Sequence, residues 1–266
     1  MLVRDAMSKD PLIVRPDDNA LNVGNIMDAK SIGVAVVIED GEFRGILSKE
    51  TFVTNLGKLC DRPIESFVVS DLMESDIYSV NEDDDLMEAI NLLLVQKSIV
   101  DILPVLSEGR VTGLLSKTNM TKVFLDKMVG RYKVADLMHY DPVTVFDYTP
   151  LTEVIDEMKN MAVKRVLVLS GDNLVGIISI RDLSLALFRQ KKLCNTVDPT
   201  SSLTVADIMT RKLTTISRKA DAAEAAKVMV ERNIGGVPVI DGRLDGIITR
   251  SDLLKGYQIA FSQEKR

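Results

Sequence analysis

The stretch VPVIDGRLDGIITRSD, residues 237–252, decides the fold of this chain. Its first four residues form an apolar run that predicts a buried strand, and Asp241-Gly242 is a pair typical of a hairpin turn. Residues 244–248 predict the partner strand, and a second helix is expected to begin at Thr249. The stretch therefore predicts a β-hairpin that leads directly into a helix.

The residues before this hairpin complete one structural unit. Residues 213–217 form a short β-rich run, and residues 221–232 place Ala222, Ala226 and Met229 at helical spacing. The predicted order of elements is β-α-β-β-α, which belongs to the α/β class.

Two short motifs of this unit recur four times along the chain. The first is Val-x-Asp-apolar-Met, and it opens the copies at residues 3–7, 69–73, 134–138 and 205–209. The second is Gly-apolar-apolar-hydroxyl, and it ends the hairpins at residues 45–48, 113–116, 176–179 and 246–249. Because both motifs recur in register, the chain is predicted to consist of four copies of one unit.

A unit of this size, on the order of 60 residues, buries little apolar surface alone, so neighbouring copies are expected to pair. We place the copies at residues 1–62, 63–129, 130–192 and 202–261. The long polar stretch 191–202 is a candidate linker, and Cys60 and Cys194 occupy similar places in the chain. Copies one and two are therefore expected to form one half, residues 1–129, and copies three and four the other, residues 130–266.

The composition predicts a globular cytoplasmic protein without nucleic-acid or membrane partners. Hydrophobic residues make up 46% of the chain, and 39 acidic against 33 basic residues give a net charge of -6. No apolar run approaches the roughly 18 residues needed to span a bilayer, and the first residues lack the apolar core of a signal peptide. Both cysteines are expected to be reduced and structural.

The residue inventory also argues against catalysis and metal binding. His139 is the single histidine of the chain, so a histidine-based catalytic site or zinc cluster is not expected, and we interpret it as a solvated or packing residue. Neither a phosphate-binding loop of the G-x-x-x-x-G-K-[ST] type nor a G-x-G-x-x-G motif is present. We predict that the chain is not an enzyme and has no catalytic cofactor.

The repeated unit resembles the cystathionine-beta-synthase (CBS) domain. The resemblance rests on the opening motif, on the apolar-Pro-Val strands at residues 102–105 and 237–239, and on the G-h-h-[ST]-x-x-[DN] ending, and it covers about residues 1–261. It implies four β-α-β-β-α CBS repeats paired into two pseudo-symmetric Bateman modules. The layout is similar to stand-alone microbial CBS proteins and to the gamma subunit of AMP-activated protein kinase.

The family resemblance implies a regulatory function. Such modules bind AMP, ADP, ATP or S-adenosylmethionine in clefts between paired domains and report the ligand to a regulated protein partner. In the family, the Ser or Thr of the ending motif lies near phosphate, and the Asp three residues later binds ribose. These roles fall on Thr249 with Asp252, on Ser179 with Asp182, and on Ser116 with Asn119; copy one has Thr51 instead of the acid and is expected to be empty.

The resemblance also implies that each pocket takes a second wall from the segment before the middle strand of the partner copy. The two pairs of residues at this place are Lys164-Arg165, which would complete the Asp252 site, and Gly235-Gly236, which would complete the Asp182 site. A Lys-Arg pair suits a polyphosphate, and glycines allow close approach of an adenine ring. Arg181 and Arg250 are further candidates for binding phosphate.

Structural alternatives account for the same residues. A hydroxyl-x-x-acid sequence at a helix start is a helix cap and requires no ligand. The acidic run at residues 82–85 suggests either a cation site or favourable placement at a helix start, and we favour the latter. The chain could alternatively be an interaction scaffold with vestigial clefts, and both closure within one chain and closure as a homodimer stay open.

Overall fold

A computed structural model describes residues 1–55, 63–96, 100–190 and 203–264, and its elements are numbered here in chain order. Copy one contains β1 (Ser8–Lys9), β2 (Leu12–Val14), α1 (Ala20–Ala29), β3 (Val34–Glu39), β4 (Glu42–Ser48) and α2 (Lys49–Thr54). Copy two contains α3 (Val69–Leu72), β5 (Val80–Asn81), α4 (Leu86–Val95), β6 (Ile102–Ser107), β7 (Arg110–Ser116) and α5 (Lys117–Lys127). Copy three contains α6 (Val134–Leu137), β8 (Thr144–Phe146), α7 (Leu151–Asn160), β9 (Arg165–Ser170), β10 (Asn173–Ser179) and α8 (Ile180–Gln190). Copy four contains α9 (Val205–Ile208), α10 (Ala222–Glu231), β11 (Gly236–Ile240), β12 (Leu244–Thr249) and α11 (Arg250–Glu264).

The predicted hairpin is present in every copy. Strands β3 and β4, β6 and β7, β9 and β10, and β11 and β12 pair in antiparallel fashion, each with one irregularity in register. In copies one to three, a short strand pairs parallel with the other edge of the middle strand. The predicted α/β class and the β-α-β-β-α order are thus confirmed in these three copies.

Copy four departs from the prediction at residues 213–217, where the expected strand is reduced to one parallel bridge between Ile216 and Val239. The Ile216 N–H donates to the Pro238 carbonyl at 3.1 Å, and the Ile240 N–H donates to the Ile216 carbonyl at 2.9 Å. The next bond of a parallel ladder would require an N–H at residue 238. Because proline has none, the ladder does not extend toward residue 213.

The segments that open the copies pack on a neighbouring copy. We name residues 1–11, 67–76, 131–142 and 203–213 the opening segments and the rest of each copy its body. Equivalent backbone hydrogen bonds of 2.9–3.0 Å run from Val3 to Asp84, from Val69 to Asp18, from Val134 to Ala220 and from Val205 to Thr149. Copies one and two therefore exchange their opening segments, and copies three and four do the same.

This exchange accounts for the two repeated motifs. The motif valines are completely buried, and the motif aspartates cap their own segments, as when Asp136 accepts the Lys133 N–H at 2.7 Å. The hairpin glycine lies under the exchanged segment: a Cβ on Gly113 would approach the Met7 sulfur and the Ser8 carbonyl oxygen to 2.7 Å. A side chain at this position would therefore displace the segment.

One compact unit comprises Met1–Pro11, Ile77–Pro142 and Thr214–Arg266. It contains the bodies of copies two and four, in which α5 packs against α10 and α11, and α4 packs against α11. The buried side chains of this contact include Met120, Phe124, Leu253, Leu254 and Tyr257. The apolar faces of these helices thus form a core shared by two copies.

The second compact unit comprises Leu12–Asp76 and Val143–Leu213. It contains the bodies of copies one and three, in which α1 and α2 pack against α8. Phe52 and Leu183 are completely buried in this unit. The helices of copy three thus bury the apolar faces of the helices of copy one, as the helices of copy four do for those of copy two.

The compact units do not coincide with the expected halves, residues 1–129 and 130–266. Each unit takes one body from each half because the helices bury their apolar faces across copies that are two apart in sequence. The candidate linker 191–202 and both cysteines lie outside the described residues. Among the described residues, no helix combines the length and apolar character needed to cross a membrane.

Candidate functional site

The end of the hairpin in copy four brings Thr249 and Asp252 together. Both the backbone N–H and the hydroxyl of Thr249 donate to Asp252 Oδ2, at 2.8 and 2.7 Å. In the described part of the chain, Oδ1 of this half-buried carboxylate has no hydrogen-bond donor. One oxygen of Asp252 therefore fixes the start of α11, and the other can accept a hydrogen bond from a ligand.

Copy three has the same pair with one further bond. Asp182 Oδ2 accepts the Ser179 N–H at 2.8 Å and also the Ser179 hydroxyl. Its Oδ1 accepts the hydroxyl of Thr210 at 3.2 Å, and Thr210 belongs to the opening segment of copy four. A ligand at Asp182 would have to compete with the Thr210 hydroxyl or share this oxygen with it.

In copy two, an amide replaces the carboxylate. Asn119 Oδ1 accepts the Ser116 N–H at 3.0 Å, and Nδ2 donates to the Ser8 hydroxyl at 3.0 Å. Asn119 is only 9% exposed, so both polar atoms of its side chain are already used inside the protein. The amide therefore offers little hydrogen-bonding capacity to a ligand.

Copy one closes the position completely. The Thr51 hydroxyl donates to the Ser48 carbonyl at 2.8 Å and accepts the Ser48 N–H at 3.2 Å. Thr51 is 3% exposed and Ser48 is fully buried. The hydroxyl of Thr51 is committed to the helix cap, and its short side chain provides no second oxygen.

The capping interpretation is thus confirmed, because in every copy the last residue of the ending motif, three positions after the hydroxyl residue, bonds back to that hydroxyl residue. Capping and ligand binding are compatible where a carboxylate supplies two oxygens. The free hydrogen-bonding capacity falls from Asp252 through Asp182 and Asn119 to Thr51, which is the order of copies four, three, two and one.

The segments before the middle strands lie beside the cap of their own copy. The Ile180 N–H donates to the Lys164 carbonyl at 3.1 Å, and Arg165 pairs with Ser179 in the hairpin. Similarly, the Arg250 N–H donates to the Gly235 carbonyl at 3.2 Å, and Gly236 pairs with Thr249. The expectation that each segment completes the site of the partner copy stays a prediction. Lys164, Arg165 and Arg250 are half-buried, and Arg181 is exposed.

Sequence reasoning missed the residue that follows each opening motif, namely Ser8, Glu74, His139 and Thr210. Each pairs with the residue after the hairpin glycine of the neighbouring copy, in the same register. The side chains of Ser8 and Thr210 hydrogen-bond with the last residue of that copy's ending motif, Asn119 and Asp182. The signal was available in the sequence, since all four residues are polar and directly follow a repeated methionine.

The acidic run at residues 82–85 makes hydrogen bonds within the protein. Asp85 caps α4 by accepting the Met87 N–H at 2.7 Å, and Asp84 accepts the Asn81 N–H at 2.7 Å. Asp83 forms an ion pair with Arg4, and Glu82 accepts the hydroxyls of Ser107 and Thr112. Placement at a helix start, the interpretation favoured from sequence, is observed for Asp85.

Comparison with known proteins identifies the repeated unit. The family model described as CBS domain matches residues 3–58, 69–126, 134–189 and 205–258. The uncharacterized protein MJ1404 of Methanocaldococcus jannaschii is 26% identical over 263 residues, which is 95% of this chain and 61% of that protein. The uncharacterized protein MJ1225 of the same organism is 26% identical over 89% of this chain and 86% of its own length. This chain thus spans less than two thirds of the first relative.

Two solved structures share the fold. The crystal structure of MJ1225, described as a candidate archaeal homolog of g-AMPK, superposes with a TM-score of 0.86 at 22% identity, covering 97% of this chain and 100% of that chain. An uncharacterized conserved protein from Pyrococcus horikoshii superposes with a TM-score of 0.66 at 22% identity, covering 96% and 99%. Both superpositions extend over nearly the whole chain.

Proposed function

Because this chain belongs to the CBS domain family, we propose that it is a non-catalytic regulatory sensor that binds an adenosyl ligand and signals to a partner protein. The ligand class comprises AMP, ADP, ATP and S-adenosylmethionine. These compounds share a ribose diol and an adenine ring, and they differ in the charged group at the 5′ position. The sensor would thus report the level of one such metabolite through its occupancy.

The proposal rests on the carboxylate of Asp252, of which one oxygen accepts hydrogen bonds within the described residues and the other does not. Its Oδ2 is fixed by Thr249 at 2.7–2.8 Å, which holds the carboxylate in one orientation, while Oδ1 has no donor among the described residues. A ribose offers two adjacent hydroxyl donors to such an oxygen. The first turn of α11, a helix of 15 residues, also carries backbone N–H groups that favour phosphate.

The four copies differ in the hydrogen-bonding capacity that they leave for a ligand. Copy four is proposed as the strongest site and copy three as a weaker one, since Asp182 Oδ1 already accepts the Thr210 hydroxyl. Ser116 and Asn119 of copy two form at most an auxiliary site, because both polar atoms of the Asn119 amide already make hydrogen bonds within the protein. The proposed phosphate-binding residues are Lys164, Arg165, Arg181 and Arg250, and the proposed adenine contacts are Gly235 and Gly236.

Thermal unfolding with AMP, ATP and S-adenosylmethionine tests the proposal. A ligand at 100 times its dissociation constant stabilises the folded state by about 2.7 kcal/mol, which is several degrees for a domain-sized protein. A concentration-dependent rise in the melting temperature with at least one compound is expected. No rise with any of these compounds would instead favour the interaction scaffold. The caps of copies one and two, whose polar groups form hydrogen bonds within the protein, also fit that alternative.

A further inference from the structure

A cavity of about 490 Å³ lies between the opening segment of copy one and the body of copy two. The segment is held there by its backbone, since the Arg4 N–H donates to the Glu82 carbonyl at 2.9 Å and Lys9 pairs with Gly113. The lining residues all belong to the first compact unit, and they are Arg4, Asp5, Met7, Lys9, Glu82 and Thr112. The cavity is therefore distinct from the ending-motif pair of copy two, which does not line it.

The cavity is lined by charges of both signs that do not neutralise each other. The half-buried Glu82 carboxylate accepts the hydroxyls of Ser107 and Thr112 at 3.0 and 3.3 Å, and no cation pairs with it among the described residues. Lys9 is exposed, and it makes no ion pair within the described part of the chain. Arg4, the other cation of the lining, forms an ion pair with Asp83. One carboxylate and one ammonium group of the cavity thus lack an oppositely charged partner.

Copy four has an equivalent place, which is covered by the opening segment of copy three. The Ala135 N–H donates to the Arg218 carbonyl at 2.9 Å, as the Arg4 N–H does to the Glu82 carbonyl. Counted from this bond, from the hairpin glycine and from the motif methionine, the places of Glu82, Thr112 and Lys9 are taken by Arg218, Asp245 and Tyr140.

The side chains of copy four complete this place from within the protein. Arg218 Nη1 lies 4.0 Å from Asp245 Oδ2, and the guanidinium carbon lies 5.8 Å from the centre of the Tyr140 ring. The Tyr140 hydroxyl donates to the Ala135 carbonyl at 2.8 Å, which fixes the ring beside the guanidinium. Copy four therefore has an internal cation at a place where copy two has the carboxylate of Glu82 and an open cavity.

We propose that this cavity of copy two is a separate ligand site for a small zwitterion of the α-amino-acid class. The ammonium group of the ligand would pair with Glu82 and supply the cation that Arg218 supplies in copy four, and its carboxylate would pair with Lys9. Met7 offers an apolar contact to the ligand side chain. A volume of this order is typical of sites for small molecules. The site does not depend on ligand binding at Asp252.

Thermal unfolding with each of the standard L-amino acids at millimolar concentration tests the proposal. A concentration-dependent rise in the melting temperature with at least one of them is expected. The matched controls are the N-acetyl derivative of that amino acid, which lacks the ammonium group, and its amide, which lacks the carboxylate. Both are expected to bind at least about tenfold more weakly in calorimetry. No rise with any amino acid, or equal binding of either derivative, would overturn the proposal.

Calorimetry of variants locates the site. Glu82→Gln keeps the size of the side chain and removes its charge, and Lys9→Gln changes an exposed residue, so each is expected to fold and to bind the amino acid at least about tenfold more weakly. Glu88→Gln, which removes an exposed carboxylate of α4 outside the cavity, is the matched control and should bind as the wild type does. Unchanged affinity in Glu82→Gln or Lys9→Gln would contradict the assignment. Loss of amino-acid binding in Asp252→Asn would also overturn it, because the ligand would then occupy the copy-four site.

Discussion

The Thr210 hydroxyl donates a hydrogen bond of 3.2 Å to Oδ1 of Asp182, although the two residues belong to different copies of the repeated unit. This contact shows that an opening segment can occupy a carboxylate oxygen of the neighbouring copy that would otherwise be available to accept a hydrogen bond from a ligand. In copy four the corresponding residue is His139, which is exposed and makes no hydrogen bond to Asp252 among the described residues. The exchanged segments therefore leave different numbers of carboxylate oxygens available to a ligand in copies three and four.

Removing the Thr210 hydroxyl should strengthen binding at copy three. In Thr210→Val, Asp182 Oδ1 loses its competing donor, and ligand affinity measured by calorimetry in an Asp252→Asn background is expected to rise about tenfold. Thr204→Val is the matched control, because it removes a hydroxyl bonded to Asp207 in the same segment. Weaker binding by Thr210→Val would show that the hydroxyl supports the ligand and does not compete with it.

The glycine at the hairpin end should be sensitive to a single methyl group. In Gly113→Ala, the added Cβ would lie 2.7 Å from the Met7 sulfur and the Ser8 carbonyl, so the free energy of unfolding in urea is expected to fall by about 1–3 kcal/mol.

The control for this substitution is Gly33→Ala, because a Cβ on Gly33 has no atom within 4 Å and the residue does not have a positive φ. This variant is expected to be neutral or stabilised by about 0.4–1 kcal/mol. Equal stabilities of the two variants would contradict the close passage of the opening segment over Gly113.

The two halves of the chain, residues 1–129 and 130–266, are expected to associate stably when they are produced as separate fragments. Fragments 1–129 and 130–266, co-expressed with an affinity tag on one, are expected to co-purify as a 1:1 complex. The reason is that α5 buries Met120 and Phe124 against α10 and α11 of the other fragment. Size-exclusion chromatography with light scattering measures this, and two well-folded monomers that do not associate would refute the shared core.

The structural features that could be predicted from the sequence are those that depend on residues close together in the chain or on a repeated pattern. The four copies, their element order and the hairpin turns follow from repeated motifs and from turn residues such as Asp40-Gly41, whose φ angles of 53° and 83° suit a tight hairpin. The caps at Thr249 and Ser179 also follow, because capping depends on residues three apart in sequence.

The sequence did not predict the relations between copies. Hydrophobic spacing identifies the face of a helix that is buried, but it does not specify which copy covers that face, so the shared cores of copies two with four and one with three were missed. The exchange of the opening segments is equally non-local. It makes Glu74 a neighbour of Ile46 and Thr210 a neighbour of Asp182, each 28 positions away in the sequence.

Calorimetric titration of the wild type and Asp252→Asn with AMP, ATP and S-adenosylmethionine measures ligand binding at Asp252. The asparagine keeps the cap and replaces the open acceptor oxygen with an amide donor, as Asn119 illustrates in copy two. The matched control is Asp136→Asn, which alters an exposed capping aspartate outside the proposed site.

Saturable binding of at least one of AMP, ATP and S-adenosylmethionine is expected for the wild type and for Asp136→Asn. The affinity at the strongest site is expected to be about ten- to hundredfold lower in Asp252→Asn. Unchanged affinity in Asp252→Asn, or no binding of any of the three compounds to the wild type, would contradict ligand binding at Asp252.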